Sequence, residues 1–155
     1  MKVAEALALR ADATRRVEQL RTRIVANARF QEGEEPTEDA AALLAEAGAV
    51  LDELEDLIRR INRTNAATVM GAEGTLTDAL ARRDVLRGRH SVVTAAADAA
   101  AGRGQGMGRQ LRSELKMLTA LPVAELRSQA DDLARQLREL DVRIQQSNWQ
   151  FDLLE

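Results

Sequence analysis

A chain of 155 residues with a formal charge of -3 and only 2% aromatic residues fits one helical domain with an aliphatic core. That balance excludes a surface dominated by the positive charge nucleic acid demands, so no nucleic-acid partner is expected. The absence of cysteine excludes disulfides, thiolate ligands and thiol nucleophiles.

Ala, Leu, Glu and Arg abound, and all favour helices. Breaks at Gly33–Pro36, Gly71–Gly74 and Gly102–Gly108 leave four helical segments. The first is predicted over 3–31. Val3, Ala6, Arg10, Ala13, Val17, Leu20, Ile24 and Asn27 form an a/d seam, and Gly33 supplies the stop. The second, over 37–65, follows Pro36, with Glu38 and Asp39 where the helix dipole favours negative charge. Its stripe reads Leu44, Ala47, Leu51, Leu54, Ile58 and Ile61, and Glu55–Arg59 and Asp56–Arg60 have favourable pairing order.

The third segment, over 75–101, opens on Thr75 with Asp78 three residues on, a capping-box signature. Leu76, Ala79, Arg83, Leu86, His90, Val93, Ala97 and Ala100 make its seam. A flexible glycine-rich loop over about 102–110 and an apolar patch from Leu111 to Leu121 follow. The fourth segment, over 122–154, starts at Pro122, a natural first helical position. Val123, Leu126, Ala130, Leu133, Leu137, Leu140, Ile144, Ser147, Phe151 and Leu154 keep heptad spacing to its end. Asp131–Arg135 and Glu139–Arg143 decorate its outer face. The expected fold is all-α: a single domain over 1–155, an antiparallel bundle of four long helices with coiled-coil-like packing and an irregular excursion before the last. Helices this long offer lateral surface for self-association, so a homo-oligomer is expected.

No catalytic constellation emerges. Ser91, Ser113, Ser128 and Ser147 lack a His/Asp arrangement, and carboxylates such as Glu53 and Asp56 lie on a solvated face. His90 is the sole histidine, and Arg87 stands where a di-iron bundle needs glutamate, so neither metal nor cofactor is expected. Arg10, Asn27, Arg83 and His90 interrupt the seams and serve register control; Arg83 needs an acid partner or an opening to solvent. Asn62, Thr64, Asn65 and Thr68 crowd the end of the second helix as carbonyl caps. With Asp78, Arg83, Asp84 and His90, residues Asn62, Thr64 and Asn65 also form a candidate polar binding cluster for a small molecule or anion. The glycine-rich stretch lacks both GxGxxG and a following Lys-Ser/Thr, so it is no phosphate cradle. Trp149, Phe151 and Leu154 form a candidate interface near the C-terminus.

No segment approaches the roughly 18 consecutive apolar residues of a membrane helix, so no stable membrane insertion is expected. Glu5 and Arg10 interrupt the apolar run Val3–Leu9, and no small-residue cleavage pattern follows, so the expected location is the cytoplasm.

Several phrases together resemble the septicolysin-like family of small bacterial proteins. They are Ile61-Asn62-Arg63-Thr64-Asn65, the run Thr75 to Asp84, the stretch from Asp131-Asp132-Leu133 to Asn148-Trp149, and the link Gln31 to Pro36. Arg112-Ser113-Glu114-Leu115-Lys116 nearly matches a family phrase, while the glycine-rich stretch before it departs from the pattern. The resemblance implies an all-helical protein of uncharacterised biochemistry, and the family label implies a lytic activity. The leading expectation is a non-enzymatic, self-associating protein acting through protein contacts. The alternatives are a membrane-associated or lytic protein and a binder using the polar cluster.

Overall fold

In a computed structural model, the structure describes residues 1–103 and 116–155. The protein is all-α. Among the described residues the elements are α1 (Val3–Asn27), α2 (Ala40–Ala67), a single 3-10 turn at Gly71–Glu73, α3 (Leu76–Ala100) and α4 (Val123–Gln150). They divide into two compact units: Met1–Thr77 together with Gln145–Glu155, and Asp78–Ile144. Residues 104–110 of the predicted loop, residues 111–115 of the predicted apolar patch and the Arg112–Leu115 part of the resemblance lie outside the described residues, whereas Met117, Leu118 and Leu121 of that patch are exposed.

In the first unit, α1 and α2 run antiparallel. Leu20 packs with Leu43, Ala47 and Val50, whereas Ala6, near the start of α1, packs with Ile61 near the end of α2. Small residues on α1, Ala6 and Ala13, let the helices approach. The predicted α1 seam holds in its apolar members: Val3, Ala6 and Leu20 are buried, and Ala13, Val17 and Ile24 pack against the core. Arg10 is exposed, so it specifies no register. α1 ends at Asn27, short of the predicted residue 31. There Asn27 Nδ2 donates to the Arg23 carbonyl at 2.9 Å and its Oδ1 accepts from the Glu38 amide at 3.0 Å, which turns the chain toward α2. α2 begins at Ala40 rather than 37 because Asp39 is its N-cap, its Oδ1 accepting from Ala41 and Ala42 amides at 2.9 and 3.1 Å.

α2 extends to Ala67, two residues beyond the predicted end. Thr68 closes it, with backbone N–H and hydroxyl both donating to the Thr64 carbonyl at 2.9 and 2.8 Å. The chain then folds a short loop in which Met70 donates to the Gly74 carbonyl at 2.7 Å and Leu76 to the Thr68 carbonyl at 2.8 Å. Gly74 sits at φ +84, a conformation that L side chains rarely adopt, so glycine is required at this reversal. α3 starts at Leu76, just after the predicted Thr75.

The largest departure from the heptad reading is at the C-terminus. α4 stops at Gln150 rather than 154. Residues 151–155 run extended against the start of the chain. Val3 donates to the Phe151 carbonyl at 3.1 Å, Leu153 to the Met1 carbonyl at 2.8 Å, and Lys2 pairs with Asp152 in an isolated antiparallel bridge. Extended backbone alternates its sides, so Leu153 enters the Ala6–Ile61 core while Leu154 is left 46% exposed; Phe151, at the bend that follows α4, is 37% exposed. The predicted seam therefore ends at Ser147, not Leu154.

In the second unit, α3 and α4 are also antiparallel. Arg83 and Arg87, early in α3, face Asp141 late in α4, and Asp98 late in α3 binds Arg127 early in α4 at 2.6 Å. The predicted seam residues Ala79, Leu86, Ala97, Ala130, Leu133, Leu140 and Ile144 are buried. Gly102, predicted as the start of a loose loop, instead closes α3. It adopts φ +76 and donates to the Ala99 carbonyl at 3.0 Å, while Arg103 donates to the Asp98 carbonyl at 2.7 Å. That bond pair is a Schellman termination, which favours glycine at this place.

Candidate interaction surface

α2 carries adjacent apolar pairs at Leu43-Leu44, Val50-Leu51 and Leu57-Ile58, each seven residues from the next. Neighbours on a helix point about 100° apart, so such pairs make two apolar faces. α1 covers one of them: Leu43 and Val50 are buried and Leu57 packs beside Ile61. The other is bare. Leu44, Leu51 and Ile58 are 63%, 49% and 39% exposed. The sequence reading placed these three in the core, and the structure corrects it: the inner row is Leu43, Ala47, Val50, Leu57 and Ile61. Beside the bare row lie the exposed Ala41, Ala45 and Gly48, and a Cβ built at Gly48 meets nothing within 4 Å. An exposed apolar row at helical spacing is a candidate contact surface. In the second unit α3 repeats the pattern more briefly, with Val85 and Val92 55% and 69% exposed next to Leu86 and Val93.

Of the predicted interface, Trp149 is 64% exposed. Phe151 and Leu154 belong to the extended tail. It is fixed by Leu153 and by polar bonds: Arg60 Nε donates to the Leu154 carbonyl at 3.1 Å, and Lys2 Nζ meets Asp152 Oδ1 at 2.9 Å. The Lys2 ammonium holds the Asp152 carboxyl below its ordinary range, through hydrogen bonding first and charge second. Lys2 and Leu153 escaped the sequence reading because a bridge between chain ends leaves no local periodicity.

The predicted polar cluster divides between the units. In the first, Thr64 is buried, its hydroxyl donating to the Arg60 carbonyl at 2.8 Å and accepting from the Leu154 amide at 2.9 Å. Asn62 is exposed, and Asn65 Oδ1 is buried without a hydrogen-bond partner. In the second, Asp78 lies exposed in the first turn of α3 and His90 is half-buried. Arg83 finds the acid partners its position calls for, Asp84 at 3.1 Å and Asp141 at 3.9 Å. Arg87 reaches the same two carboxylates at 3.9 and 3.5 Å, so charge is balanced within the group.

A groove of about 350 Å³ along α1 is lined by Arg15, Arg16, Arg23 and Glu46. Its guanidiniums are neutralised locally: Arg15 by Asp12, Arg16 by Glu46 at 2.6 Å, and Arg23 by Glu38. The Arg23 hydrogen bond pulls the Glu38 carboxyl below its usual range, and Glu38 in turn raises Arg23. Such a groove offers little net charge to an anion. Among the described residues no group of three or more His, Cys, Asp or Glu side chains converges to hold a metal. No helix among them is long and apolar enough to cross a membrane.

The described residues thus define a class: an all-α protein of antiparallel helix pairs, with apolar rows on α2 and α3 that their neighbours leave uncovered. The chain belongs to the family of unknown function DUF6847, whose model matches residues 10–153. It is similar to a solved structure described as a functionally unknown conserved protein from Corynebacterium diphtheriae, at 39% identity and TM-score 0.91 over 99% of each chain. No protein of curated function matches the sequence.

Proposed function

We propose that this is a non-enzymatic helical protein that self-associates and acts through protein–protein contacts. The bare row Leu44, Leu51 and Ile58 on α2 carries the reading. Burying a second apolar face against a partner lowers the free energy, and α1 covers only the first. Exposed Trp149 adds an aromatic side chain of the kind enriched at interface hot spots.

Sedimentation equilibrium or light scattering across the micromolar range tests the proposal. The expected result is a concentration-dependent oligomer that Leu51→Glu converts to monomer while its helical circular dichroism is retained. A chain that stays monomeric at high micromolar concentration overturns the proposal. Anionic or cholesterol-rich vesicles are expected to retain an encapsulated dye in its presence. Dye release would replace this reading with the lytic one that the septicolysin-like resemblance implies.

A further inference from the structure

We infer that the partner of the bare α2 face is α2 of a second copy, antiparallel, with Gly48 at the two-fold axis; this rests on the self-association proposed above. Charge sets the direction. With Glu38 held by Arg23 and Asp39 capping the helix, the approach to α2 keeps the exposed acids Glu34 and Glu35, whereas its C-terminal end carries Arg59, Arg60 and Arg63. Antiparallel pairing lays each acidic end on the other copy's basic end, and a parallel pair would set acid on acid and arginine on arginine. Arg60 and Arg63 already donate to the Leu154 and Glu155 carbonyls, so exposed Arg59 is the cation that reaches across, to Glu34 or Glu35.

The register follows from the residues along the face. An antiparallel two-fold brings each position to the level of the one equally far beyond the axis, and side chains on the same flank within one residue of that level pack together. With the axis at Gly48, Leu44 packs on Leu51 of the second copy, and this contact occurs twice. Gly48 meets its own counterpart, where the missing side chain and the open space above it let the backbones come close. Asp52 then falls opposite Ala45, and Glu55 opposite Ala41. An axis moved toward Asp52 would instead force that carboxylate onto its own copy, which is unfavourable.

The chain has no cysteine, so introduced thiols report this geometry without interference. Full-length Ala41→Cys and Glu55→Cys proteins are mixed and mildly oxidised, and the disulfide species are counted by mass. The expected result is a mixed disulfide well above the statistical half, together with ready self-crosslinking of Gly48→Cys. In sedimentation, Arg59→Glu is expected to weaken the dimer about tenfold, with Glu35→Arg restoring it. Self-linked Ala41→Cys as the main product shows a parallel pair and overturns the inference. A wild-type chain that sediments as an oligomer but whose thiols do not link overturns this pairing alone. A strictly monomeric wild type removes both this pairing and the self-association beneath it.

Discussion

Trimming Leu153 to alanine separates the observed C-terminal tail from a helix continued in heptad register. Leu153 is 8% exposed and packs with Ala6 and Ile61, whereas Leu154 is 46% exposed. A buried leucine cut to alanine costs about 2–5 kcal/mol, depending on how far the surroundings close the gap. The tail is an extended segment held at one edge of its unit and can settle inward, so the lower end applies, about 2 kcal/mol. For a chain of this length that lowers the melting midpoint by roughly 4–8 °C. Leu154→Ala is expected to cost less than about 0.5 kcal/mol, as for other surface truncations. Urea unfolding followed by circular dichroism measures both. The heptad continued past Gln150 demands the opposite ranking, since Leu154 would lie on its seam. A loss for Leu154→Ala equal to or larger than that for Leu153→Ala would refute the account of the tail.

Asp39→Ala removes the cap of α2 and is expected to cost about 1 kcal/mol, with faster hydrogen exchange at the Ala41 and Ala42 amides; unchanged exchange would deny the capping role. Thr64→Val keeps the side-chain shape but takes away the acceptor for the Leu154 amide. A loss of about 1–2 kcal/mol is expected, with the Leu154 amide deprotected; an amide that stays protected would count against the bond. Glu38 and Asp152 have folded pKa values below their ordinary ones, chiefly through hydrogen bonds from Arg23 and Lys2. Their stabilisation is complete above the ordinary carboxylate range and is lost as pH falls through the lowered folded values. The urea midpoint should therefore drop between about pH 6 and about pH 3, and drop less in a Glu38→Gln, Asp152→Asn double variant. Equal slopes in the two proteins would rule out these pairs as acid-sensitive links.

The helices and most inward faces were legible because burial of one apolar stripe leaves a heptad trace, as in Ala130, Leu133, Leu140 and Ile144. On α2 the same logic misled. Periodicity finds apolar rows but cannot rank two of them, and Leu44, Leu51 and Ile58 match a heptad as well as Leu43, Val50 and Leu57. The doubled pairs were themselves the sign of two apolar faces on this helix. The ends of α1 and α4 depend on bonds to distant segments, Asn27 to Glu38 and Leu153 to Met1, which leave no local pattern. The acid requirement at Arg83 followed from desolvation, and Asp84 meets it from the next position in sequence. Asp141, from the facing helix, is visible only once the fold pairs α3 with α4.

The first unit joins residues 1–77 to residues 145–155, and this sets an order on events at the ribosome. α1 and α2 emerge early, but the Lys2–Asp152 bridge and Leu153 arrive only after the whole intervening stretch has been translated. At roughly 5–20 residues per second, the nascent α1–α2 hairpin waits on the order of ten seconds with Ala6 and Ile61 unsealed. Emergence of residues 151–155 from the exit tunnel is thus the step that completes this unit.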